Sequence, residues 1–251
     1  MDALAGVREA PVLGATARWY VGIALFFLMA IGPAGAVTPT DATAVWSDSF
    51  ALQYSLWDGD TSPDGNWYCA WAGYGQVGTQ SVDADLAMRL RPAQSTQPGE
   101  THSSLAVSLT EFQNALIEVE VRTSEQLRIQ QQGRRWRSRP RAWEVAWLLF
   151  RVVDTSNFYY FAVKPNGCEF GKLVGGVQNI LWTSTAPKLT IGNWDQWTVS
   201  AVGGHFTVWV NGAVAMDYLD FAALPALASG SVGLYCEDAD VQFDNVRVTR
   251  L

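Results

Sequence analysis

The chain has 251 residues, 17 Lys and Arg against 24 Asp and Glu, and a formal net charge of −7. That length suits one large domain, and the acidic balance excludes a general nucleic-acid binder, because phosphates would be repelled. With two histidines and three cysteines, no His-rich metal cluster, zinc motif or disulfide scaffold can be assembled. One cysteine pair among Cys69, Cys168 and Cys236 is compatible with an oxidising compartment, and the pairing stays open.

Arg18 precedes the apolar run Val21 to Ile31, then Gly32-Pro33 and Ala34-Gly35-Ala36. A basic flank, a short apolar run and a small-x-small end describe an export signal over residues 1–36. The run is shorter than the ~20 apolar residues that span a bilayer. The expected product is secreted or periplasmic, with a disordered, Thr-rich leader over 37–45 and one domain over 46–251.

Trp46 to Phe50 reads as an opening strand, and residues 55–75 as an aromatic loop. A strand pair is expected around Gly78-Thr79 and Leu86 to Leu90, and further strands over Ser103 to Leu109 and Ala115 to Arg122. Gln130 to Ala142 is a polar insertion carrying Arg134, Arg135, Arg137, Arg139 and Arg141, either a solvated loop or an anion site. Trp143 to Val153 is apolar on both faces, as in a central strand covered on both sides. Turns at Asp154 to Asn157, Pro165-Asn166-Gly167 and Gly175-Gly176 separate three more strands. Gly203-Gly204 and Asn211-Gly212 then predict a meander with type I′ turns. Phe221 to Ala228 suits one short helical turn. In the last strand, Val241 and Phe243 are out of phase with Val246 and Val248, so a bulge at Asp244-Asn245 is needed to bury both pairs. The fold class is all-β: an antiparallel two-sheet sandwich.

Gly230-Ser231-Val232-Gly233-Leu234, Phe243 to Val248 and the Val208 to Gly212 hairpin resemble the closing strands of concanavalin-like jelly rolls. Asn157 to Gly171 (NFYYFAVKPNGCEFG) resembles a hairpin of the 3-keto-disaccharide hydrolases, neighbours of the laminin-G-like domains. The resemblance covers Asp48 to Val248. It implies a monomeric, glycan-recognising jelly roll, cleaving oxidised sugar linkages where it is catalytic. A non-catalytic carbohydrate-binding or adhesion module is the alternative. A polysaccharide lyase ranks last: Arg122 to Arg128 is similar to a strand of alginate lyases, but the accompanying His and Tyr motifs are missing. The Glu-x-Asp-x-x-Glu pattern of laminarinase-type relatives is also absent.

For 3-keto chemistry the expected base is Glu169, Glu144 or Glu237, with Lys164 or Arg151 stabilising the enolate. Trp67, Trp71, Tyr74 and Tyr160 are the expected sugar contacts, because sugar C–H faces stack on exposed rings. The acids of the last strand, Glu237, Asp238, Asp240 and Asp244, read as solvated or as holding a cation. The resemblance further implies a structural Ca²⁺ between Asp48 and Asp244, most of whose six to eight oxygen ligands would be backbone carbonyls. No organic cofactor is expected.

Overall fold

The computed structural model describes residues 44–95, 97, 99–128 and 140–251. The expected export signal, residues 37–43 of the expected leader, and Arg134, Arg135, Arg137 and Arg139 lie outside the described residues, whereas Ala44 and Val45, expected to be disordered leader, belong to the first strand.

The chain opens with β1 (Ala44–Asp48), the two-residue β2 (Ser55–Leu56) and β3 (Trp67–Trp71). Residues 55–75 were expected to be one loop, yet Trp67 to Trp71 pair with the strand Ser103–Phe112, and Trp67 and Cys69 alternate inward. Then come β4 (Gln76–Val82), β5 (Asp85–Arg91), β6 (Ser103–Phe112) and β7 (Ala115–Gln126). The middle of the chain forms β8 (Ala146–Asp154), β9 (Asn157–Lys164), β10 (Gly167–Val174) and β11 (Val177–Ser184). The last part forms β12 (Trp194–Val202), β13 (His205–Val210) and β14 (Ala213–Leu219), a 3₁₀ turn at Pro225–Leu227, then β15 (Gly230–Glu237) and β16 (Ala239–Arg250).

Two antiparallel sheets result. One has the order β14-β13-β12-β7-β16-β5-β4-β2, with β1 also on β16; the other runs β11-β10-β9-β8-β15-β6-β3. Phe150, Tyr159, Phe170 and Phe206 interlock between them, and burying side chains of this size is the main stabilising term. Strand β8 sits at the centre of its sheet, and its residues from Ala146 to Val152 are buried on both faces.

The expected bulge lies on β16, where pairing with β7 shifts between Asp244 and Arg247 and Asn245 takes φ 49°. Val241, Phe243, Val246 and Val248 are all fully buried as a result. The bulge also divides the other edge of β16, with Val241 to Phe243 on β5 and Val246 to Val248 on β1. Asn211 and Gly212 have φ 52° and 76°, as a type I′ turn requires. At Gly203-Gly204 only Gly203 takes positive φ, 54°, the pattern of a type II′ turn. Cys69, Cys168 and Cys236 are buried and unpaired. Among the described residues no helix is long and apolar enough to cross a membrane.

Candidate functional site

Residues directly opposite across an antiparallel pair share a face, so the strand registers sort the candidate residues. On β15, Cys236 points inward towards the Leu90 carbonyl of β5. Tyr235 and Glu237 therefore face away from the nine-stranded sheet. Tyr235 is opposite Leu105 on β6 and Trp147 on β8, and Trp71 is opposite Leu105 in turn. Trp71, Leu105, Leu149 and Tyr235 line an apolar depression on this outer face.

Two polar groups flank the row of rings. On one side, the Tyr160 hydroxyl donates to Glu169 Oε1 at 2.9 Å and Lys164 Nζ to Glu169 Oε2 at 2.5 Å. Gln178 Nε2 donates to the Tyr160 oxygen at 2.8 Å. Gly171 stands opposite Tyr160 and has to be glycine, because a Cβ there would lie 2.4 Å from the Tyr160 oxygen. On the other side, Tyr235 donates to Glu237 Oε1 at 2.7 Å, and Ser103, directly opposite Glu237, accepts from Trp71 Nε1 at 3.0 Å. The Trp147 ring lies between the two groups, 4.8 Å from Tyr160 and 5.9 Å from Tyr235.

Glu237 is 3 % exposed. Burial pushes its carboxyl up to about 7, and the charges of Asp238 and Glu144 push the same way against the Tyr235 hydrogen bond and Arg128. A carboxyl poised near neutrality can accept or give up a proton under ordinary conditions. Behind it Arg128 bridges Glu144 and Asp238, the latter at 2.7 Å.

Several sequence expectations are corrected here. Trp67 is not a sugar contact: it is 0 % exposed, packs on Trp46 and Phe50, and donates from Nε1 to Asp48 at 2.8 Å. Arg151 is turned to the inner side by a bulge with φ 51°, lies over the Phe206 ring and donates to the carbonyls of Gln113, Gly203 and Leu227. It cannot stabilise an enolate on the outer face. Glu144 is fully buried, closed against Arg128 and the Arg141 amide, and burial raises its pKa. Glu237, Asp238, Asp240 and Asp244 are buried rather than solvated. Asp240 is held by Arg89 and Arg91, each at 2.5 Å. Trp71 is half-buried on the outer face; Tyr160 shares that face but is 1 % exposed, so it is not the exposed ring expected of a sugar contact, and Tyr74 is 76 % exposed against His102. Trp147, Tyr235 and Ser103 were missed. The two-residue spacing of Tyr235 and Glu237 was a readable signal for one of them.

Asp48 and Asp244 do come near one another, since β1 pairs with the bulged stretch of β16. The residues fit calcium poorly. Both Asp48 oxygens already accept N–H donors, from Phe50, Asn66 and Trp67, whereas a hard cation needs those lone pairs. Among the described residues no group of three or more His, Cys, Asp or Glu is placed to hold a metal ion.

A two-sheet antiparallel sandwich of this kind is the concanavalin-like fold. The solved structures it resembles include a carbohydrate-binding module, CBM66, from Bacillus subtilis, with 16 % identity, TM-score 0.53, and coverage of 73 % of this chain and 95 % of that one. A Bacillus licheniformis β-glucanase gives 10 % identity, TM-score 0.53, and coverage of 79 % and 98 %. SCLam, a non-specific endo-β-1,3(4)-glucanase, gives 13 % identity, TM-score 0.51, and coverage of 84 % and 92 %. At such identities the likeness is one of fold. Residues 54–249 match the 3-keto-alpha-glucoside-1,2-lyase-like domain, and the chain belongs to that family. No curated protein matches the chain.

Proposed function

We propose that the outer face of the seven-stranded sheet binds an oxidised glucoside and that Glu237 exchanges the proton in its elimination. In a 3-keto glucoside the C2 proton is acidified by the adjacent carbonyl. Glu237 as carboxylate takes that proton, the electron pair forms the C1–C2 double bond, and the C1–O bond breaks as the leaving oxygen takes up a proton. Lys164 and Gln178 supply donors to sugar oxygens on the same face, and the half-buried Trp71 supplies a ring for its C–H surface, while the buried Trp147 and Tyr160 hold this face in shape from behind.

The observation that carries this reading is Glu237 itself, a carboxyl held near neutrality beside the ring-lined depression. Paired-carboxylate hydrolysis has less support. Two strands separate β10 from β15, so the Glu169 and Glu237 backbones are about 14 Å apart at ~4.8 Å per strand step. Trp147 stands between them, whereas hydrolysing pairs hold their carboxyls about 5–9.5 Å apart. An elimination needs no such pair.

The test is a 3-keto-α-glucoside mixed with wild type and Glu237→Gln, followed by ultraviolet absorbance of the conjugated enone. Turnover by wild type, lost in the variant with binding kept, supports the assignment; an unchanged rate in the variant overturns it. A non-catalytic module is the second reading, favoured by the closed Lys164–Glu169 pair, and binding without turnover by wild type would select it.

A further inference from the structure

The edge strand β3 carries more aromatic surface than the elimination needs. Its pairing with β6 slips between Cys69 and Trp71, so Ala70 is an extra residue. Without the slip, alternation would put Tyr68 and Trp71 on opposite faces. With it, Tyr68 is opposite Val107, and Trp71 opposite Leu105. Val107 and Leu105 are in turn opposite Gly233 and Tyr235 on β15, so both rings share the outer face with Glu237. Tyr68 is 37 % exposed and Trp71 half-buried.

The rows are evenly stepped along β6, from Val107 to Leu105 to Ser103, the residue opposite Glu237. Two residues of strand advance about 7 Å, so the Tyr68 row lies about 14 Å from the Glu237 row. That reach exceeds one sugar ring. The loop along the free edge of β3 is rigidly tied: the Gly59 amide donates to the Cys69 carbonyl, the Cys69 amide to the Asp60 carbonyl, and the Ala72 amide to Asp58 Oδ1 at 2.6 Å. The loop carries Trp57, 70 % exposed, and brings Asp58, Asp60 and Asp64 to this edge. Carboxylates there repel an anionic chain.

We infer that Tyr68 and Trp71 form an accessory platform for an uncharged oligosaccharide lying along β3, with its reacting end at Glu237. The inference rests on the outer-face reading above and adds chain length as the determinant of affinity. Aromatic anchors of this kind carry a large share of binding energy when they stay ordered before the ligand arrives. The 68–71 segment is ordered by the sheet, through the bulge that also sets the spacing.

The experiment measures binding of neutral gluco-oligosaccharides of one, two, four and six units, by tryptophan fluorescence, to the full chain, Tyr68→Ala, Trp71→Ala and Glu237→Gln. Affinity of the wild type should rise at least tenfold between one and four units. Tyr68→Ala should abolish that rise and leave the shortest ligand unaffected, because Tyr68 is exposed and distant from the reacting row. Glu237→Gln should keep the length dependence, so that loss of turnover of the 3-keto-α-glucoside with the gain for the gluco-oligosaccharides intact separates the elimination from the platform. Affinity independent of length, or a Tyr68→Ala variant that keeps the gain, overturns the proposal. So does a wild type that binds none of the four ligands.

Discussion

Replacing Glu237 by Gln should make the protein more stable in alkali and remove a pH dependence that the wild type shows. The carboxyl is buried beside Tyr235, and its pKa stands at about 7 rather than the ordinary 4.5. Between those two values the folded protein holds a proton that the unfolded chain has released, so stability falls as pH rises through the interval. Each pH unit of the interval is worth about 1.4 kcal/mol, which gives a loss of about 3 kcal/mol by pH 8. Gln is neutral throughout, and its carbonyl can still accept the Tyr235 hydroxyl, which donates to Oε1 of Glu237 in the wild type. The variant should therefore match the wild type within about 1 kcal/mol at pH 4.5 and exceed it by about 3 kcal/mol at pH 8. Asp244, raised to about 6 first by burial, tilts both profiles equally and cancels in the difference. Urea denaturation of both proteins at the two pH values, read by tryptophan fluorescence, measures it. A difference that does not change with pH would refute the placement of Glu237 in a buried, acid-crowded recess.

Gly212→Val should cost roughly 1–2 kcal/mol, because Gly212 has φ 76° and no atom within 4 Å of a built Cβ, leaving backbone strain as the sole penalty; an unmoved melting temperature would contradict the turn type. Trp67→Ala should cost about 3–5 kcal/mol through cavity formation and leave Asp48 without one donor, while Trp71→Ala should lower sugar binding with a much smaller change in melting. Equal loss of stability in both would place Trp71 in the core. EDTA should leave the melting curve in place, since Asp48 already accepts three N–H donors; a fall of several degrees would restore a cation between Asp48 and Asp244, because a ligand held only by the folded state stabilises it.

The strand order around the site was partly legible in the chain. Trp71, Tyr160, Lys164, Glu169 and Glu237 were singled out from residue type and context, and the structure brings them to one face. Trp67 was misplaced because Trp67 to Trp71 lie among turn residues, which hides a short strand whose partner is β6. Arg151 was misread because a lone cation in the apolar run Trp143 to Val153 gives no sign of the bulge that turns it inward. The acids from Glu237 to Asp244 read as solvated since their cations are far along the chain: Arg128 meets Asp238 across 110 positions and Arg89 meets Asp240 across 151.

Local chemistry determined the rest directly. The Asn211-Gly212 turn follows from the need for positive φ, the β16 bulge from a break in apolar phase, and the all-β class from period-two alternation with turn residues between the runs. Those are properties of neighbouring residues, and the amino-acid sequence contains them in full. Which rings stay exposed and which carboxyls meet a cation depended on pairings between strands distant in sequence. Period two assigns a residue to one of two faces, but only the packing of the second sheet decides which face becomes the core.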